Sequence, residues 1–174
     1  MKRIGLLSDT HGYLDSGIIS ALESCTEIWH AGDFGGNQVA EQLAALRPLR
    51  GVFGNIDGTP IRQQFPENLL FEVEGLRVLM THIGGYPGKY PARVSSLLDA
   101  HAPGLFIAGH SHILRVMPDP RHNLLHINPG ACGQEGFHLM RTLVRFSVEN
   151  GKISDLEVVE LGRRGRMSPN TTGI

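Results

Sequence analysis

The sequence predicts a single α/β domain that contains two β-sheets. Its first third alternates short apolar runs with amphipathic segments, which is typical of strands joined by helices. Further along, apolar runs follow one another with turn signals between them, such as Glu149-Asn150-Gly151, which favours antiparallel pairing and a second sheet. The length of 174 residues suits one domain.

The first third is predicted to fold as β-α-β-α-β. Ile4 to Leu7 is a short continuous apolar run, whereas Val39, Leu43 and Leu46 repeat at helical spacing. We predict strands at 2–7, 27–31 and 49–53, and helices at 16–24 and 38–46.

The remainder is predicted to be mostly strands. Glu74-Gly75 is a hairpin signal between two apolar runs, and only 92–101 has helical spacing. We predict strands at 69–73, 76–81, 105–108, 113–117, 124–127, 142–148 and 153–160. The segment from Arg163 onward has little apolar content, so we expect the domain to span 1–162 and 163–174 to form a flexible tail.

The composition argues against several classes of function. Sixteen Lys and Arg residues against seventeen Asp and Glu residues give a net charge of -1, which does not suit a nucleic-acid-binding surface. No apolar run approaches the roughly 20 residues that cross a bilayer. The two cysteines, Cys25 and Cys132, are interpreted as reduced thiols, and we expect a cytoplasmic protein.

Residues that can bind metal ions follow five of the predicted strands. Strand side chains alternate, so an Asp-x-His or His-x-His pair puts both groups on one side of the chain. In open α/β sheets, ligands bind at the carboxyl ends of the strands. Each motif alone is common in turns, but five at strand ends indicate a site. They are Asp9-Thr10-His11, Gly32-Asp33, Gly54-Asn55-Ile56-Asp57, Thr81-His82 and Gly109-His110-Ser111-His112.

These motifs, followed by Asn128-Pro129-Gly130, resemble the calcineurin-like metallophosphoesterase superfamily, and in particular its small bacterial and archaeal single-domain phosphodiesterases. The resemblance implies a four-layer sandwich of two mixed β-sheets flanked by helices. It also implies a centre of two divalent metal ions. Asp9, His11 and His112 would bind the first ion, Asn55, His82 and His110 the second, and Asp33 would bridge them.

The chemistry of these ligands agrees with phosphoester hydrolysis. Imidazole, carboxylate and amide groups suit manganese, our first expectation, and also Fe, Zn, Ni or Mg. Two divalent ions, two carboxylates and a bridging hydroxide leave one positive charge, which favours an anionic phosphoester. We therefore expect direct attack of the hydroxide on a small phosphoester substrate, more plausibly a diester.

Three residues are the candidate catalytic residues: Asp33 and Asn55 as metal ligands, and Asp57 through a ligand histidine or a backbone amide. Ile56 stands where protein phosphatases of the superfamily have a histidine that protonates the leaving group. We interpret His30 as a buried residue that orients the bridging region. His101, His122, His126 and His138 lack ligand spacing and are interpreted as structural or solvent-facing.

Two other interpretations stay open beside the enzyme. Proteins of this superfamily also serve as non-catalytic interaction modules, although these lose metal ligands and every assigned position is filled here. A purely structural metal site fits poorly, since such sites are usually closed and rich in cysteine. The resemblance also leaves open a homo-oligomer such as a dimer.

Overall fold

This computed structural model describes residues 1–165, which contain fourteen helices and strands. In chain order they are β1 (Lys2–Leu7), α1 (Ser16–Leu22), β2 (Glu27–His30), α2 (Asn37–Leu46), β3 (Leu49–Gly51), α3 (Thr59–Gln64), β4 (Asn68–Val73), β5 (Leu76–Thr81), α4 (Ala92–His101), β6 (Leu105–Ile107), β7 (Arg115–Asp119), β8 (Leu124–Asn128), β9 (Met140–Glu149) and β10 (Lys152–Arg163).

The strands form two mixed five-stranded sheets. The first has the order β10-β9-β1-β2-β3, in which β1, β2 and β3 are parallel and β9 and β10 are antiparallel additions. The second has the order β4-β5-β6-β8-β7, in which β5, β6 and β8 are parallel and each edge strand is antiparallel to its neighbour.

Three clusters of buried apolar side chains form the hydrophobic core. Between the sheets, Trp29 of β2 packs edge-on against Phe71 and Phe146, with ring centroids 4.9 and 5.6 Å away. Helices α1 and α2 bury apolar side chains such as Leu22 against the first sheet. Helix α4 buries Val94 and others against the second sheet. The order helix, sheet, sheet, helix confirms the predicted four-layer sandwich.

Local sequence explains where the helices begin. Asp15 caps α1, since its carboxylate accepts a hydrogen bond from the backbone N–H of Ile18 at 2.9 Å. Helix α3 was not predicted from sequence because it has six residues and only Ile61 is buried, which is too short to show a period. Pro60 in its first turn has the backbone angle that a helix start requires.

Several element boundaries differ from the prediction. Strand β3 ends at Gly51 rather than at residue 53, and β7 spans Arg115–Asp119 rather than 113–117. The apolar residues Ile113 and Leu114 suggested an earlier start, but both are exposed, and pairing with β8 begins at Arg115 opposite Asn128.

The predicted start of the carboxyl-terminal tail is wrong by at least one residue. Arg163, at which the flexible tail was expected to begin, is the last residue of β10 and pairs with Met140. Most of the predicted tail, residues 166–174, lies outside the described residues, so its flexibility stays a prediction. Among the helices of residues 1–165, none has the length and apolar character needed to cross a membrane.

Candidate metal centre

The seven predicted metal ligands lie in loops that follow strands of both sheets. The carboxyl ends of the parallel strands point to this region. Three loops belong to the first sheet and two to the second. The ligands are Asp9 and His11 after β1, Asp33 after β2, Asn55 after β3, His82 after β5, and His110 and His112 after β6.

Two clusters of ligand atoms form within this region. Asp9, His11 and His112 make one cluster, and Asp33, His82 and His110 make the other, each with its ligand atoms within 4.8 Å of one another. Nε2 of His112 lies 3.1 Å from Oδ1 of Asp9. Two ligands about 2.1 Å from one ion at ordinary angles lie about 3.0–3.4 Å apart, so this separation suits a shared ion.

The second cluster has the same spacing and includes the amide. Nε2 of His82 lies 3.2 Å from Oδ2 of Asp33, and Nδ1 of His110 lies 3.0 Å from Oδ1 of Asn55. Oδ2 of Asp33 is also 3.5 Å from Nε2 of His11 in the first cluster. The Asp33 carboxylate therefore lies between the two clusters.

Three ligand atoms at this place are buried and have no hydrogen-bond partner in residues 1–165: Oδ1 of Asp9, Nε2 of His11 and Nε2 of His82. Leaving a buried polar atom unpaired is costly, so native proteins rarely do so without a reason. A divalent cation would be a partner for all three atoms. The residues present thus fit the metal ions that the sequence motifs imply.

Hydrogen bonds on the far side of the ligands hold them in position. The Nδ1–H of His82 donates to the backbone carbonyl of Ala31 at 2.7 Å, so Nε2 keeps its lone pair for a metal ion. Oδ2 of Asp9 accepts from the Ser8 hydroxyl at 2.6 Å and from the backbone N–H of His110 at 3.1 Å. Oδ1 of Asp9 is left facing the centre.

His138 fixes the ring of His112 in the same manner. Nε2 of His138 donates to the carbonyl of Gly133 at 3.0 Å, so its Nδ1 is the acceptor. Nδ1 of His112 lies 3.3 Å from that nitrogen and donates to it, which leaves Nε2 of His112 free toward Asp9. From sequence, His138 is interpreted only as structural or solvent-facing, since no motif spacing links it to His112.

His30 lies behind the centre and joins two of its loops. Its Nδ1 accepts from the backbone N–H of Gly32 at 3.1 Å, and its Nε2–H donates to the hydroxyl of Thr10 at 3.0 Å. The ring stacks on Phe34 with centroids 3.7 Å apart. Complete burial lowers the pKa of His30 to about 3, which favours the neutral ring. Because both ring nitrogens are engaged with Gly32 and Thr10, His30 orients the loops and is not a ligand.

The carboxylates make this region attractive to cations. The nearby carboxylate of Asp9 raises the pKa of His11. Burial disfavours the charged form of His82, but Asp33 and Asp9 outweigh burial and raise its pKa. Burial likewise opposes the charge on Asp9, yet His11 and His112 hold the pKa of that carboxyl far below its usual range. Burial and the neighbouring His82 lower the pKa of His110, which favours its neutral form.

The backbone at the centre is unusual. Ten non-glycine residues among 1–165 have positive φ, a conformation that L-amino acids rarely adopt, and five of these are predicted ligands. Such strain concentrates at functional sites, where the surrounding structure enforces it. The five are Asp9, His11, Asp33, His110 and His112.

Two glycines permit the close approach of the loops. A Cβ atom on Gly54 would lie 2.0 Å from Oδ1 of Asp33. A Cβ atom on Gly32 would lie 2.5 Å from Nδ1 of His82. Any other residue at these positions would displace a ligand, which explains why glycine precedes the polar residue in both motifs.

Asp57 binds backbone amides rather than a ligand histidine. Its carboxylate accepts hydrogen bonds from the N–H groups of Gly54 at 2.8 Å, Gly35 at 3.0 Å and Phe34 at 3.2 Å. It therefore ties the loop after β3 to the loop after β2. Of the two roles considered for Asp57, the structure displays the contact with backbone amides.

Comparison with known proteins places this arrangement in a family. The model of the calcineurin-like phosphoesterase superfamily domain matches residues 1–151. A probable metallophosphoesterase of Methanothermobacter thermautotrophicus is 29% identical over 135 residues, which cover 74% of this chain and 76% of that protein.

Solved structures show the same fold at lower identity. An archaeal phosphodiesterase superposes with a TM-score of 0.71 at 21% identity, covering 90% of this chain and 99% of the other. Vps29 of Chaetomium thermophilum superposes with a TM-score of 0.72 at 14% identity, covering 94% and 100%. The fold, the ligand motifs and the family match lead to one conclusion: this chain belongs to the calcineurin-like phosphoesterase superfamily.

Proposed function

We propose that the protein is a dinuclear-metal-dependent phosphodiesterase that acts on a small phosphoester. One observation carries the proposal: Oδ1 of Asp9, Nε2 of His11 and Nε2 of His82 are buried without hydrogen-bond partners in residues 1–165, and each nitrogen lies 3.8 Å from that oxygen. A protein that did not bind cations here would have replaced such costly groups with apolar ones.

Each ligand has a proposed role. Asp9, His11 and His112 bind the first ion, and Asn55, His82 and His110 bind the second. Asp33 bridges the two, which its position 3.5 Å from His11 and 3.2 Å from His82 supports. Manganese is the metal we expect first, with Fe, Zn, Ni or Mg as alternatives.

When bound, the two ions would supply a bridging hydroxide as the nucleophile and would stabilise the charge on the phosphoryl oxygens. The protein keeps the ligands in place for this task. Oδ1 of Asp33 accepts a hydrogen bond from the backbone N–H of Ile56 at 3.1 Å. Oδ2 of Asp9 accepts one from the Ser8 hydroxyl. Neutral His30 joins the two loops that carry these aspartates.

The surroundings of the centre favour diesters. Ile56, next to Asn55, is 48% exposed and has no proton to donate to a leaving group. An aryl diester depends little on that proton, and it has one negative charge fewer than a monoester dianion. Other exposed apolar side chains also flank the site residues, namely Ile83 beside His82, Ile113 beside His112, and Phe137 beside His138.

Those exposed apolar residues also support a second candidate function, a non-catalytic module that binds a partner protein over the centre. Phe137 is 100% exposed and Leu139 is 80% exposed. Exposed apolar groups of this size often mark interaction surfaces. The two candidates differ in turnover, which the following experiment measures.

The test is hydrolysis of bis(p-nitrophenyl) phosphate by metal-stripped protein before and after addition of Mn²⁺. We expect activity only with metal and a large loss in Asp9→Asn. The matched control is Asp99→Asn, which removes a carboxylate whose side chain is 75% exposed. Metal binding without turnover of any phosphoester would favour the interaction module. Failure to bind metal would contradict the phosphodiesterase and would leave the interaction module, which does not require metal.

A further inference from the structure

A cavity of about 190 Å³ opens beside the second ligand cluster. Asn55 and His82, both proposed ligands of the second ion, form one part of its wall. A group attached to a phosphoryl bound at the second ion would therefore lie next to this cavity. Its other wall residues include Arg62 of α3, Arg93 of α4, Glu67 and Ile83.

Arg62 is held in a fixed orientation at this wall. Its Nε donates to the backbone carbonyl of Asp57 at 2.6 Å, and its guanidinium carbon lies 4.3 Å from the centroid of the Phe53 ring. Within residues 1–165, the two terminal nitrogens of Arg62 make no hydrogen bond. Their donors are available to a ligand in the cavity.

Arg93 is held by other parts of the chain. One terminal nitrogen donates to the carbonyl of Ile83 at 2.7 Å, and the other donates to Oδ1 of Asn68 at 3.0 Å. Both also donate to the hydroxyl of Thr81, at 3.4 and 3.3 Å, so the terminal N–H groups of Arg93 are engaged. In the described part of the chain, neither Arg93 nor Arg62 forms an ion pair with a carboxylate. Glu67 is the one acidic residue among the described wall residues, so two cations face one anion.

We propose that this cavity binds a second anionic group of the substrate, a carboxylate or a phosphate. The group that is esterified to the scissile phosphoryl carries this second anion. The terminal nitrogens of Arg62, which make no hydrogen bond within residues 1–165, are suited to bidentate recognition of such an anion, and the Arg93 guanidinium adds a second positive charge at the wall. The substrate class is then a phosphoester with a second negative charge a few bonds from phosphorus. This inference rests on the proposed function, since it assumes that the phosphoryl binds at the metal centre.

The test compares two phosphonates that differ only in charge, 3-phosphonopropanoate and 3-phosphonopropanamide. Isothermal titration calorimetry measures their dissociation constants on Mn²⁺-loaded protein, so no turnover is needed. We expect wild type to bind the carboxylate at least about 10-fold more tightly than the amide. Arg62→Gln should reduce this ratio about 5- to 10-fold, because hydrogen bonds to charged groups are the strong ones. Arg93→Gln should reduce it by a smaller factor, because it removes a positive charge from the wall.

Two further variants complete the design. Arg62→Lys keeps the charge and should retain part of the preference. Arg77→Gln is the control, since Arg77 also donates to a backbone carbonyl, that of His101, but does not line the cavity. Because Arg93 ties together several groups, thermal melting verifies that each variant is folded.

The outcomes separate this inference from the proposed function. If the ratio of dissociation constants is the same in Arg62→Gln and Arg77→Gln, or if neither phosphonate binds, the anion subsite is wrong. If the ratio responds as expected but no phosphoester is hydrolysed, the subsite stands and the phosphodiesterase proposal fails.

Discussion

The backbone N–H of Ile56 donates a hydrogen bond of 3.1 Å to Oδ1 of Asp33. This contact fixes one carboxylate oxygen and directs the other, Oδ2, to the space between the two ligand clusters. The loop after β3 thereby orients a ligand from the loop after β2. A carboxylate held in this way can serve two ions at once, which makes Asp33 the residue on which the dinuclear proposal depends.

We predict that Asp33→Asn lowers phosphodiesterase activity more than Asn55→Ala or His112→Ala. The amide has nearly the same shape but loses a negative charge from between two dications. The loss should exceed the roughly 10- to 100-fold that removal of an outer-sphere partner costs. Steady-state kinetics at saturating Mn²⁺ measure it. Near-normal turnover of Asp33→Asn would show that Asp33 does not bridge.

We predict that His138→Leu weakens Mn²⁺ binding about 10- to 100-fold at one of the two sites, because His112 loses the acceptor that fixes its ring. Calorimetric titration of metal-stripped protein should show one weakened site and one unchanged site. The matched control is His101→Leu, which has no hydrogen bond or ion pair with the seven ligands within residues 1–165. Equal affinities in His138→Leu and wild type would refute the positioning role.

Buried His126 should make the fold sensitive to acid. Burial lowers its pKa to about 4, whereas the unfolded chain has the usual value of about 6.5. The unfolded state therefore takes up a proton first as the pH falls. The contribution of His126 to stability is fully present above pH 6.5 and is lost between pH about 6.5 and 4.

Replacing His126 alone separates the effect of its protonation on stability from that of the other histidines. The difference in free energy of unfolding between wild type and His126→Leu should shift in favour of the variant by about 1.4 kcal/mol for each pH unit in that interval. Urea denaturation of metal-stripped protein at several pH values measures it. A constant difference from pH 7 to pH 4 would mean that His126 is protonated equally in both states.

Ile56 offers a test of substrate preference. We predict that wild type prefers an aryl diester to the matched aryl monoester, and that Ile56→His raises monoesterase activity relative to diesterase activity. General acid catalysis is typically worth about 10²–10⁴-fold, most of all with poor leaving groups. Kinetics on both substrates, with metal content measured in both proteins, decide the matter. An unchanged ratio would mean that the missing acid does not set specificity.

Much of the centre could be predicted because each ligand lies within five residues of the carboxyl end of a strand. The apolar run of β1 fixes where Asp9 and His11 lie, and the run of β6 does the same for His110 and His112. Parallel pairing of β1 with β2 then brings Asp33 alongside. Apolar runs in the sequence indicate where strands end, so they also indicate which polar residues can be ligands.

The supporting residues were not visible because tertiary contacts alone position them. His138 lies before β9, more than twenty residues from His112, and no spacing relates the two. Arg62 lies on the short helix α3, which has too few residues for a periodic signal. The start of β7 was misplaced because Ile113 and Leu114 are apolar yet exposed near the centre.

We propose that the seven ligands bind two metal ions that act together on a phosphodiester. The most direct measurement titrates metal-stripped protein with Mn²⁺ while recording bound metal per chain and hydrolysis of bis(p-nitrophenyl) phosphate in the same samples. We expect activity to reach its plateau at two bound ions per chain and to stay low at one. Full activity with one ion, or two bound ions without hydrolysis, would contradict it.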